Sequence, residues 1–345
     1  MKQSGSKSAP LKLLVLGGTA FLSKTIARYA VERGHDVTVV ARGISGEPPE
    51  GARHVTADRD SAEGLRALAD RHFDAVVDVT RLPGQMKRAL ETLAATTGHW
   101  TYVSSCSAYS DDETVGQTAA TAPTLEPTDE DSLDPDIEKY GASKVACENL
   151  VLRHKPDRSF ILRAGLIVGD NDPSYRFGYW PDRIADGGEI LAPGAPTEMV
   201  QYVDVRDLAN WVVDAAETGL TGVYDGVSLP MTRERFFTEI ADGVGATPNL
   251  TWVPQEFLVE HGVKPWSGDD ALGLWLPLPE YAGFLTRDTR PAMEAGLSIR
   301  PLADTAADWL ATRDRRPVPN AEGGPYRSLT REREAEVLAA WHESR

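Results

Sequence analysis

Short, continuous apolar runs alternate with stretches of helical period through the first half of the chain. This is the pattern of βαβ units around a parallel sheet. The run Leu13-Leu14-Val15-Leu16 has the character of a strand buried on both faces. It turns at Gly17-Gly18 into a helix predicted over residues 21–33, with Gly34 as its stop. Further strands are predicted at 37–40, 54–56, 75–79 and 100–104, with helices at 62–71 and 85–96 and a Gly/Pro-rich loop at 43–51. From 111 to 136 the periodicity stops in a long acidic segment containing Thr and Pro. A loop of that length in a compact domain is usually functional or disordered, so a solvated face and a mobile lid are both open readings. A helix over 140–153 and a strand over 159–163 follow.

Beyond Gly169 the pattern changes. Residues 175–180 combine aromatic and charged side chains, prolines recur, and helical periods at 207–217 and 233–244 are separated by turns. Residues 11–169 are therefore expected to form the main domain and 170–345 mainly a smaller lobe, with 201–217 returning to the main domain. A final helix is predicted over 331–342, its Val337, Leu338 and Trp341 on one apolar face.

The chain has 345 residues, 41% of them hydrophobic and 26% charged, enough to build a substantial core. Its formal net charge of −16 disfavours a nucleic-acid partner, which normally demands a basic face. Two cysteines, Cys106 and Cys147, make no disulfide framework, and seven scattered histidines suggest no metal site. Residues 1–10 are polar and lack the apolar core of a secretory signal, and no run reaches the roughly 18 apolar residues of a membrane span. The expectation is a soluble, cytoplasmic protein.

Candidate chemistry centres on Tyr140-Gly141-Ala142-Ser143-Lys144. A tyrosine and a lysine four residues apart share one helix face. A phenol is a poor proton donor or acceptor at neutral pH, and a nearby ammonium favours its ionised form. Two further features accompany this pair in order: the glycine turn Gly17-Gly18-Thr19-Ala20-Phe21-Leu22-Ser23, placed to cradle a dinucleotide phosphate at a helix N-terminus, and the serine cluster Val103-Ser104-Ser105-Cys106-Ser107-Ala108-Tyr109.

Together these residues resemble the short-chain dehydrogenase/reductase superfamily, in its extended and atypical branches. The family turn usually reads G-G-T-G-F-[LI]-G; this chain keeps Gly17, Gly18, Thr19, Phe21 and Leu22 but carries Ala20 and Ser23 at the later glycines. The methyl of Ala20 is expected to narrow the phosphate approach, and Ser23 to crowd helix against strand. Leu162-Arg163-Ala164-Gly165-Leu166-Ile167-Val168-Gly169 and Gln201-Tyr202-Val203-Asp204-Val205-Arg206-Asp207-Leu208 extend the resemblance, which is good over 11–217. Leu166 stands where nucleotide-sugar epimerases and dehydratases carry a substrate-contacting asparagine, which counts against a nucleotide-sugar substrate.

The resemblance implies a Rossmann-type, doubly wound α/β fold with a smaller C-terminal substrate lobe. It implies Tyr140 as acid/base, Lys144 as its partner and holder of the nicotinamide ribose, and Ser105 as donor to the substrate oxygen. Asp58, with Arg59 beside it, falls where the family contacts adenine. The second strand ends Val40-Ala41-Arg42 without the acid that holds an NAD ribose; an arginine there suits a 2′-phosphate, so NADP is favoured over NAD. Tyr175, Arg176, Tyr179 and Trp180 are candidate substrate contacts, with core packing as the plain alternative for the aromatics. The leading function is an NAD(P)-dependent oxidoreductase acting on a carbonyl or carbinol of a small molecule. A nucleotide-sugar epimerase or dehydratase with tightly held NAD is the alternative, and a non-catalytic cofactor-sensing or scaffold protein is the third. Relatives often pair through the Tyr–Lys helix, so the resemblance also implies a homodimer.

Overall fold

A computed structural model describes residues 9–61 and 63–345. The polar opening segment, residues 1–8, and Ala62 lie outside the described residues. Seven strands form one parallel sheet: β1 (Lys12–Leu16), β2 (Asp36–Ala41), β3 (Arg53–Thr56), β4 (Phe73–Asp78), β5 (Thr97–Ser105), β6 (Ser159–Ala164) and, at one edge, Gly222–Gly226. Their spatial order runs Gly222–Gly226, β6, β5, β4, β1, β2, β3. The order reverses direction at β1, and in open α/β sheets the crevice at such a switch point is where ligands bind.

The alternation of side chains along each strand accounts for the two cores. Leu13, Val15, Val37, Val39, Ala75 and Val77 face one layer, where α1 (Phe21–Glu32) packs against a later helix, Val205–Thr218. Leu14, Leu16, Val76, Trp100, Tyr102 and Ile161 face the other, covered by α2 (Pro83–Leu93) and α3 (Tyr140–His154). Because both faces are covered, these strands are largely apolar, β1 without interruption from Leu13 to Leu16.

Two expectations are corrected. The helix expected over 62–71 does not form; among the described residues of that segment only Arg66–Leu68 coils, as a 3-10 turn. A Cβ on Gly64 would fall 1.8 Å from the Asp58 carbonyl oxygen, so the chain folds back on itself where a helix would have to run. The return to the main domain also extends past 217. Gly222–Gly226 pairs with β6, and Ala292 and Leu297 join the core under α1. The acidic segment after β5, for its part, is tied down by backbone bonds. Gly116 and Asp288 donate to the carbonyls of Thr286 and Gln117, Gly283 donates to Asp112, and Leu125 and Thr128 bond back to Ala108 and Ala142.

The small lobe has its own aromatic core. Phe177, Trp180, Phe236, Phe237, Trp275 and Trp309 are buried there among aliphatic side chains. Among the described residues, no helix is long and apolar enough to cross a membrane.

Candidate active site

Two adjoining clefts open along the carboxyl ends of the strands, one of about 250 Å³ and one of about 700 Å³, with Val79 on the wall of both. The β1–α1 turn bridges them: Gly17, Thr19 and Ala20 line the smaller, Phe21 and Leu22 the larger. The turn is tight. Gly18 has φ +87°, and a Cβ there would lie 2.7 Å from Val39, so β2 requires the glycine. Ser23, expected to crowd the helix, is accommodated by donating its hydroxyl hydrogen to the Ala20 carbonyl at 2.9 Å. Ala20 is exposed and extended, supplies no side-chain cap, and no acid stands in the first turn of α1. The helix therefore presents uncapped N–H groups and the positive end of its dipole to the smaller cleft, as an anion requires. A dinucleotide pyrophosphate fits these residues.

Around that cleft the remaining cofactor candidates divide. Arg42 is exposed on its rim and makes no ion pair among the described residues. Asp58 also lines it, with Oδ1 accepting the Asp60 N–H at 3.0 Å. Arg59 is largely committed elsewhere: Nη1 and Nη2 donate to the two oxygens of buried Asp78 at 2.9 and 2.6 Å. Asp78 in turn accepts the Thr80 N–H, which fixes the turn after β4.

That turn positions the lysine. Lys144 is buried, and its Nζ donates to the carbonyls of Thr80 (2.9 Å) and Val103 (2.7 Å) while lying 4.9 Å from the centre of the Tyr102 ring. Nζ stands 5.8 Å from the centre of the Tyr140 ring, one helical turn away. Ser104 points the other way, donating to buried Glu148, which also pairs with Arg163 at 2.6 Å and so ties α3 to β6. Ser105 faces the larger cleft; its Oγ accepts the Ser107 N–H at 3.1 Å and donates to Ser107 Oγ at 3.2 Å.

Gly141 brings α3 to the serine turn. A Cβ at this position would meet the Ser107 carbonyl oxygen at 2.0 Å, so only glycine allows so close an approach. As a result Ser105, Tyr140 and Lys144 line one cleft with Phe21 and Leu22.

Of the four candidate substrate contacts, only Arg176 lines this cleft. Tyr175, Tyr179 and Trp180 are buried in the small lobe: Tyr175 stacks on Tyr326 and Tyr179 packs edge-on to Trp180. Leu166 is likewise in that core, while its neighbours Gly165 and Ile167 reach the cleft. The wall facing Tyr140 includes residues that carry no sequence signal: Asp172, Ser174, Trp266 and Phe284. Asp172 follows a Gly-Asp-Asn turn that could be read only as a loop, and Trp266 and Phe284 come from the non-periodic C-terminal half.

Solved structures share the architecture. A putative epimerase from Burkholderia cenocepacia J2315 superposes with a TM-score of 0.66 at 18% identity, covering 90% of this chain and 100% of that one. UDP-N-acetylglucosamine 4-epimerase from Bacillus cereus gives 0.60 at 19%, covering 88% and 99%. UDP-glucuronic acid 4-epimerase from Bacillus cereus in complex with NAD gives 0.60 at 14%, also covering 88% and 99%. At these identities the likeness is one of fold. A curated relative, the chloroplast stem-loop binding protein of 41 kDa b from Arabidopsis thaliana, is 26% identical over 221 residues, or 59% of this chain and 55% of that protein. The chain thus matches about half of that relative's length. Residues 13–225, which carry the glycine turn, the serine turn and the Tyr–Lys helix, match the family model itself, and the chain belongs to the NAD dependent epimerase/dehydratase family.

Proposed function

We propose that this protein catalyses hydride transfer at a secondary carbinol or ketone carbon of a small polar substrate, with Ser105, Tyr140 and Lys144 as catalytic residues. The observation that carries this reading is the convergence of all three on one cleft whose floor continues into the phosphate turn. A bound nicotinamide dinucleotide would accept or return the hydride. Ser105 would turn its hydroxyl hydrogen from Ser107 Oγ to the substrate oxygen, and Tyr140 would take or give that oxygen's proton. Lys144, held by two backbone carbonyls, keeps a third N–H for the nicotinamide ribose and places its charge beside the Tyr140 ring.

Membership of an epimerase/dehydratase family supports a tightly held, recycled NAD, with oxidation and reduction on the same substrate. Arg42, free on the rim of the smaller cleft, favours a second reading in which dissociable NADPH reduces a carbonyl. Titration with NADH and NADPH by nicotinamide fluorescence, after checking the purified protein for carried-over cofactor, separates them. Retained NAD that resists exchange supports the first, and selective NADPH binding to an empty protein supports the second. Binding of neither by a protein that carries no cofactor sinks the hydride-transfer reading. Tyr140→Phe should abolish turnover while sparing cofactor binding; unchanged turnover refutes the proton role. The stem-loop-binding relative raises an RNA reading, which the net charge of −16 opposes. A shift of labelled RNA in a gel at low salt would overturn that exclusion.

A further inference from the structure

The wall of the larger cleft facing Tyr140 holds a carboxylate with an unmade bond. Asp172 is 1% exposed; its Oδ1 accepts both the N–H (2.8 Å) and the hydroxyl (2.7 Å) of Ser174, whereas Oδ2 is buried without a partner among the described residues. Buried acceptors in native proteins are almost always satisfied, so an exception on a cleft wall points to a ligand. Arg176, two residues beyond Ser174, has its Nε on Ser174 Oγ at 3.1 Å and its guanidinium 4.8 Å from the centre of the Trp266 ring. It forms no ion pair with Asp172 or any other acid among the described residues, although both line the same cleft. A carboxylate and a guanidinium kept apart by a serine leave room for a ligand that satisfies each.

We propose that Asp172 and Arg176 form a substrate subsite for a hydroxylated anion, Arg176 taking a carboxylate or phosphate and Asp172 Oδ2 accepting a hydrogen bond from a neighbouring hydroxyl. This rests on the hydride-transfer reading for the statement that the ligand is the substrate. Planar, multi-donor guanidinium suits such an anion, and Trp266 beneath it holds its plane. Burial pushes the Asp172 carboxyl up from its ordinary value and the Arg176 guanidinium down, which an arriving hydroxyl and anion would relieve. The family match ends at residue 225, so Trp266, which braces this subsite, lies outside it.

The test compares four six-carbon probes on the cofactor-saturated protein by calorimetric titration: sorbitol, hexanoate, gluconate and sorbitol 6-phosphate. Either or both of the last two should bind at least about tenfold tighter than sorbitol and hexanoate, the worth of a charge-assisted bond, and which of them does so distinguishes carboxylate from phosphate. Arg176→Gln should remove the preference over sorbitol, and Asp172→Ala the preference over hexanoate. NADH and NADPH affinities should stay unchanged in both variants. Equal binding of all four probes, binding of none, or preferences that survive the substitutions would overturn the subsite. If the preferences hold but Tyr140→Phe retains turnover, the subsite stands and the hydride-transfer reading fails.

Discussion

Replacing Gly141 by alanine tests the geometry of the site directly. The new methyl would lie 2.0 Å from the Ser107 carbonyl oxygen and 2.8 Å from Leu125 Cδ1. Carbon–oxygen contacts settle near 3.3 Å, so α3 and the serine turn must separate by about 1 Å or more. Intrinsic helix preference runs the other way, favouring alanine by about 1 kcal/mol. Overpacking typically costs ~1–3 kcal/mol, which leaves a net loss of up to about 2 kcal/mol. The larger effect should be on rate, because Ser105 and Tyr140 sit on the two parts pushed apart. A misplacement of this size costs about 100-fold, or about 2.7 kcal/mol of barrier. The assay is steady-state hydride transfer on a compound that the wild type turns over, with cofactor affinity measured alongside and Tm from thermal unfolding. A fall in kcat with near-normal cofactor affinity and a lower Tm is expected. Wild-type kcat with a raised Tm would show that the approach of α3 to the serine turn has no bearing on catalysis.

Three further outcomes follow from the same contacts. Lys144→Met removes a donor from the Val103 carbonyl and from the Thr80 carbonyl, which keeps the Tyr102 hydroxyl, and should cost about 1–3 kcal/mol in urea unfolding; undiminished stability would mean those bonds are incidental. Arg42→Ala should weaken NADPH binding by about 10- to 100-fold more than NADH binding if the guanidinium holds a 2′-phosphate, and equal losses would remove the argument for NADP. Burial lowers the His99 pKa below 6.5 even though Nε2 bonds the Leu220 carbonyl. The unfolded chain therefore binds the proton first, so the stability from neutral His99 is complete above about pH 6.5 and lost as pH falls below it. The difference in unfolding free energy between wild type and His99→Gln should shrink from pH 7.5 to 5.5; a constant difference refutes this.

The central strands were legible because they are buried on both faces and so read as largely apolar runs, whereas the edge strand Gly222–Gly226, exposed at its start, gave no such signal. That Tyr140 and Lys144 share one helix face was legible through helical spacing, whereas Ser105 was singled out through the family resemblance. The 62–71 segment misled because its composition suits a helix while Gly64 closes a tight reversal against Asp58. Tyr175, Tyr179 and Trp180 misled for a different reason: an aromatic cluster beside a binding crevice and one filling a core have the same sequence. Burial alone decides between them. Asp172, Trp266 and Phe284 meet across the cleft only through tertiary contact, and no spacing along the chain could have joined them.

The ties between the acidic segment and residues 283–288 have a consequence for how the chain matures. Phe284, on the wall of the larger cleft, comes from the second half of the chain and donates its N–H to the Asp112 carbonyl in the first, a bond that forms only after both halves have folded. Contacts of such wide sequence separation are entropically costly and form late. The glycine turn, built from residues 17–23 and the strands beside it, needs none of them. A nascent chain would thus complete that turn well before it encloses the larger cleft.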